Sequence, residues 1–224
     1  MNIVILHGWG HSAVMWQSFA SKFHGQKVIV FDLPGFGTEP IISEKWGIND
    51  YANWVTQKLK AKKIKEVVLI GHSFGGKIAS ELAIRHPEMI KKLILISSPV
   101  LRRPSLLTKI KIYLYKLSKY VPLSGFLKYE INEDFKEAKD NNLGKIFVKS
   151  VNYDVTKMLP KLNIPTLIIW GRDDAEAIYP IGVEMAKLIP GAKLEILKNT
   201  GHNIQLENPN ILYGLVKKFI TQTQ

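Results

Sequence analysis

Cysteine is absent from all 224 residues, which removes disulfide frameworks, thiolate metal sites and a thiol nucleophile from consideration. Long hydrophobic runs are absent too. No window approaches the roughly 18 consecutive apolar residues a membrane-spanning helix requires, so no transmembrane segment is expected. The opening MNIVILHGWG lacks a basic leader, and His7-Gly8 breaks its apolar run early. No signal peptide is expected, and a cytoplasmic location is the expectation. Negative charge is sparse: 19 acidic residues face 31 basic ones, a formal net charge of +12. Such a balance raises affinity for polyanions in general. The lysines, however, are spread through helix-like stretches such as KLKAKKIKE and carry no nucleic-acid-binding signature, which points to a solvated lysine-rich surface and no specific nucleic-acid partner.

What is present is the composition of a globular chain, 46% hydrophobic and 22% charged, with the length of one domain or of a core carrying one insertion. Short apolar runs at 2–6, 27–31, 66–70, 93–96, 166–170 and 193–197 read as strands covered on both faces. Helix-like stretches at 13–23, 50–60, 75–85, 178–188 and 208–221 alternate with them, the pattern of a parallel sheet with crossover helices. From about 99 to 162 no buried strand is expected, and this region reads as a helical insertion.

Chemistry concentrates at the ends of the expected strands. Gly71-His72-Ser73-Phe74-Gly75 follows a strand and precedes a helix, the context that turns Gly-x-Ser-x-Gly into a nucleophile elbow. A nucleophilic serine needs a base, and the base needs an orienting acid. His202, in the loop after the last strand, is the best base; His72, His86, His11 and His24 are weaker candidates. Asp173 and Asp174 both follow the strand at 166–170, and spacing alone does not choose between them. The glycines of LHGWG free backbone N–H groups at the end of the first strand, where developing negative charge could be stabilised.

Taken together, HGWG, DLPGFG, GHSFGG, WGRDD and the late Gly-His resemble the alpha/beta-hydrolase superfamily, in that family's order along the chain. The resemblance implies Ser73 as nucleophile, His202 as general base and Asp174 as acid, because the family's acid follows the Gly of WG by three residues. It implies oxyanion-hole N–H groups from Trp9 and Phe74. Ser98, where some members carry their acid, cannot serve. Within the superfamily the chain is most similar to small serine carboxylesterases of the pimeloyl-carrier-protein methyl esterase type. That implies cleavage of small to medium acyl carboxylic esters through an acyl-enzyme. Lactonases, thioesterases and carbon–carbon bond hydrolases share the triad, and Ser73 excludes the Asp-nucleophile chemistry of dehalogenases and epoxide hydrolases. A receptor of the same fold without turnover, or an enzyme acting at a lipid surface, are the rivals of other kinds. No metal or organic cofactor is implied, and no substrate-binding residue is assigned.

The expected architecture is an alpha/beta-hydrolase core over 1–99 and 157–224, with a short helical cap over 100–156. Apolar residues Leu101, Leu106, Leu107, Tyr113 and Leu117 would form the cap's core or line an acyl pocket. Family members usually begin with two further strands before the one ending in HGWG. The sheet here is therefore expected to have about six strands, mostly parallel, with 27–31 as an exposed edge. An open edge invites pairing, so it is expected to be covered by its own loops or by a second copy in a homodimer.

Overall fold

The computed structural model describes residues 1–102 and 142–222. Its centre is a six-stranded sheet, formed by β1 (Asn2–Leu6), β2 (Lys27–Phe31), β3 (Val67–His72), β4 (Ile90–Ile96), β5 (Thr166–Gly171) and β6 (Lys193–Leu197). The order is β2-β1-β3-β4-β5-β6 and every pairing is parallel, as expected. Helices complete the layers: α1 (Gln17–Ala20), α2 (Ile48–Ala61), α3 (Phe74–Arg85), α4 (Gly144–Val151), α5 (Pro180–Leu188), α6 (Ile204–Glu207) and α7 (Pro209–Thr221).

The strands form where β-branched residues run together, and side chains alternate between two cores because successive residues point to opposite faces. Val4, Leu6, Leu69, Leu95 and Trp170 join one core with α2, α3 and α5. Ile3, Ile5, Ile70, Ile96 and Ile169 join the other with Trp16, Phe19 and the α7 residues Leu212 and Val216. Each fully buried Val, Leu or Ile stabilises such a core by about 1.5–3 kcal/mol. This double covering is why β3 is buried at all six positions.

Two expectations change in detail. The helix expected at 13–23 is a single 3-10 turn, Ala13–Trp16, followed by the one-turn α1. Ser12 places no side-chain cap on it, and the Ala13 N–H is taken by Asp32 Oδ1 at 2.6 Å. Tight bonds from Lys22 to Phe19 and from Phe23 to Ala20 then turn the chain out of the helix. β4 begins at Ile90, earlier than the apolar run suggests, because Lys92 is accommodated at the strand's start by three carbonyls at the end of α7: Phe219, Ile220 and Gln222, at 2.7, 3.0 and 2.7 Å.

Of the cap expected over 100–156, residues 103–141 lie outside the described residues, and with them Leu106, Leu107, Tyr113 and Leu117. Leu101 is buried in the core on the α2–α3 side of the sheet. The far end of the segment is α4, whose Phe147 ring stacks edge-on against Trp9 at 5.1 Å.

The topology fixes where a site can form. From β1 the chain builds β2 on one side and β3 on the other, so the loops leaving β1 and β3 part above the sheet and leave a crevice at their carboxyl ends. His7 braces this crevice: its Nδ1–H donates to Gly8 O at 2.8 Å while Nε2 accepts from the Leu33 N–H at 3.0 Å.

Candidate active site

Ser73 stands at the tip of the turn between β3 and α3, with φ 48° and ψ −111°. A non-glycine residue there stores strain on the order of 1–3 kcal/mol. Neighbouring bonds hold it: the Ser73 N–H donates to Ile96 O at 3.0 Å, and its carbonyl accepts from the Gly76 N–H at 3.1 Å and Ser98 Oγ at 2.8 Å. Ser98 is thus a support for the elbow. Glycine flanks the serine for a steric reason. A Cβ on Gly71 would strike Gly76 Cα and Gly75 O, and one on Gly75 would strike the Leu6 carbonyl at the end of β1.

His202 lies in the loop between β6 and α6, buried at 8% exposure. Its Nδ1–H donates to Asp174 Oδ2 at 2.8 Å, which in the neutral ring makes Nε2 the proton-accepting nitrogen. Asp174 is itself anchored, its Oδ1 accepting from the N–H groups of Glu176 at 3.0 Å and Ala177 at 2.8 Å. The structure therefore chooses between the two adjacent carboxylates. Asp174 is buried and meets His202; Asp173 is exposed, and its backbone N–H donates to Thr200 O at 3.0 Å.

The His202 loop is held by groups that the sequence reading did not single out. Glu207 accepts from the N–H groups of Gly201 and Asn203 at 2.5 and 3.1 Å. His72 Nε2–H donates to the His202 carbonyl at 3.0 Å, linking the residue beside Ser73 to the loop that carries His202. Burial and neighbouring imidazoles hold His72 well below its ordinary pKa, and burial pushes His11, stacked on it at 5.5 Å, down to about 4. Both rings are neutral near pH 7 and pack in a row beside His202, the His72 and His202 rings 4.9 Å apart. The signal for His72 was its adjacency to Ser73; nothing in the sequence indicated that its partner lay 130 residues away.

Ser73, His202, Trp9 and Phe74 line one cavity of about 600 Å³. The Trp9 and Phe74 rings pack edge to face at 5.2 Å, and Phe74 opens α3, so its N–H belongs to the unpaired donors of a helix start. At the mouth, exposed Glu176 brings Oε2 to 3.5 Å from His202 Nε2. Deeper in, Lys77 on α3 also faces the cavity; it is 8% exposed and its Nζ donates to Ser150 O at 2.9 Å. The sequence reading passed over Lys77, although its place one helical turn after Ser73 puts it on the same side of α3. His86 and His24 do not line this cavity. No helix among the described residues is long and apolar enough to cross a membrane.

The chain is 28% identical over 250 residues to a 2-hydroxy-6-oxononadienedioate/2-hydroxy-6-oxononatrienedioate hydrolase of a Pseudomonas species, covering 98% of this chain and 88% of that protein. It is 24% identical over 230 residues to a pimeloyl-[acyl-carrier protein] methyl ester esterase of Vibrio atlanticus, covering 90% and 87%. Its fold superposes on the crystal structure of the enol-lactonase from Burkholderia xenovorans LB400 with a TM-score of 0.78, at 20% identity over 99% of this chain and 91% of that one. A family model for the alpha/beta hydrolase fold matches residues 2–123, and with the parallel sheet, the elbow and the buried His–Asp pair already in place, the chain belongs to the alpha/beta hydrolase family.

Proposed function

We propose that this hydrolase is a serine carboxylesterase that cleaves small to medium acyl esters through an acyl-enzyme. The observation that carries the reading is the buried His202–Asp174 pair facing the same cavity as the strained Ser73. Ser73 Oγ attacks the acyl carbon as His202 Nε2 takes its proton, and the tetrahedral oxyanion is received by the N–H groups of Trp9 and Phe74. His202 then returns the proton to the departing alcohol. A water, deprotonated by the same nitrogen, attacks the acyl-enzyme and releases the acid and free Ser73. Asp174 keeps the imidazole in the tautomer with Nε2 free and stabilises the imidazolium. Among the described residues, neither the Trp9 nor the Phe74 N–H has a hydrogen-bond acceptor, which leaves both for an oxyanion; losing one such donor typically costs about 3–4 kcal/mol of transition-state stabilisation. Residues 100–156 act as the cap, with Phe147 and Val151 of α4 on the cavity wall.

Ser73→Ala is expected to abolish hydrolysis of p-nitrophenyl acetate and butyrate with an unchanged circular dichroism spectrum. Turnover equal to the parent in that variant would refute the mechanism. A second reading, hydrolysis of a carbon–carbon bond in a vinylogous diketone, is favoured by the similarity to the Pseudomonas oxononadienedioate hydrolase. A panel of esters, thioesters, lactones and such diketones separates the two, and ester turnover is expected to lead.

A further inference from the structure

Lys77 is a buried cation whose surroundings do not account for its charge. An ammonium has three N–H donors, and among the described residues one is used, by Ser150 O at the end of α4. Lys92 shows what a satisfied buried lysine looks like in this fold, with three carbonyls around its Nζ. The nearest acid along the helix, Glu81, one turn beyond Lys77, is committed elsewhere: it pairs with Arg85 at 2.5 Å and accepts from the Tyr153 hydroxyl at 2.9 Å. Lys77 is also the one lysine or arginine on the cavity wall among the described residues. Burial alone pushes its pKa down to about 8, with no anion holding it up. A buried, underpaired charge is costly, and a methionine of similar length would fill the same space without that cost. Lys77 and Ser150 both line the cavity that also holds Ser73 and His202.

We infer that Lys77 is a specificity-determining residue that receives the free carboxylate of an acyl chain esterified at its other end, so that the preferred substrates are monoesters of short dicarboxylic acids. This rests on the esterase reading above for the reaction, though not for the binding. Ser73 precedes α3 and Lys77 lies one helical turn beyond it on the same wall of the cavity, so a short acyl chain held at Ser73 runs toward Lys77, and glutarate is the trial length. The acyl carbon lies at Ser73 Oγ, its chain runs along the α3 and α4 walls past Phe147, and the carboxylate meets Nζ beside Ser150 O. Glu176, at the mouth next to His202 Nε2, repels a carboxylate presented the wrong way round.

The test compares mono-p-nitrophenyl glutarate with p-nitrophenyl pentanoate, which matches it in length without the charge. In the parent protein kcat/KM should favour the glutarate. In Lys77→Met the ratio of the two should fall by about 30-fold or more, the loss when one partner of a desolvated charge pair is removed. Lys77→Arg should retain most of the ratio. If Lys77 only braces α3 against α4, both substrates lose equally in Lys77→Met and the ratio stays put, which overturns the proposal. A binding arm separates this from failure of the esterase reading. Calorimetry on Ser73→Ala should detect monomethyl glutarate and not methyl pentanoate, and the signal should vanish in Ser73→Ala/Lys77→Met. If no ester is turned over yet this pattern holds, the carboxylate site stands without the esterase; equal or absent binding of the two ligands overturns it, and that comparison does not depend on Lys77→Met folding.

Discussion

Asp173 and Asp174 are chemically the same residue in adjacent places, and burial gives them different work. Asp174, 4% exposed, has two backbone N–H groups on one oxygen and His202 on the other. Asparagine there would offer a donor where His202 Nδ1 needs an acceptor. Asp174→Asn is therefore expected to lower kcat on the order of a thousandfold or more, while Asp173→Asn stays within a few-fold of the parent, as steady-state kinetics on p-nitrophenyl butyrate will show. Lys77 permits a prediction about stability. Its pKa falls from the ordinary 10.5 to about 8 through burial, so between those values the unfolded chain holds the proton that the folded chain has released. The sign follows: stability rises with pH across that window, and below about pH 8 the folded state carries the whole penalty, roughly 3 kcal/mol. Lys77→Met should accordingly raise the urea midpoint at pH 7, and its advantage over the parent should shrink between pH 8 and 10.5. An advantage that does not change with pH would contradict the burial argument.

At the scale of elements, the site depends on how closely the β5 and β6 loops approach. Gly171 ends β5 opposite Leu197 of β6, and a Cβ on it would strike the carbonyls of Gly201 and Thr200, the residues just before His202. Those atoms are backbone and have little room to yield. Gly171→Ala is expected to push the His202 loop away from Asp174, reducing kcat and lowering stability by about 1–3 kcal/mol, read from kinetics and urea unfolding of the same variant. Most strands were legible at this scale because they are runs rich in β-branched residues and long enough to cross the sheet, and three of the six have the expected ends. The helix at 13–23 was misread because Val14, Met15, Trp16 and Phe19 have helical spacing. The bond from Ala13 to Asp32, which shapes the turn, comes from a distant part of the chain.

For the whole molecule, the parallel order leaves β2 and β6 as edges. β2 begins on exposed Lys27 and is only half buried over Val28, Ile29 and Val30; a lysine and a short length are features that blunt an edge without closing it. Pairing of this edge between two copies is expected to give a dimer mass in light scattering at high protein concentration. A monomer mass throughout would remove the homodimer and leave the edge to its own loops.

The sequence by itself determined the alternation of strands and helices, the strand–serine–helix turn at Ser73 and the chain order of the serine, the aspartate pair and the histidine. These are local properties: a run of branched apolar side chains can satisfy its backbone and bury both faces in few other ways, and Gly71 leaves room for the turn's own backbone at Gly75 and Gly76. Tertiary structure decided which aspartate meets the histidine, that His72 grips the His202 carbonyl, and that Lys77 lines the cavity with a single carbonyl partner among the described residues. Each of those depends on dielectric and on hydrogen-bond partners 28 to 130 residues away. Only packing the layers together sets either quantity.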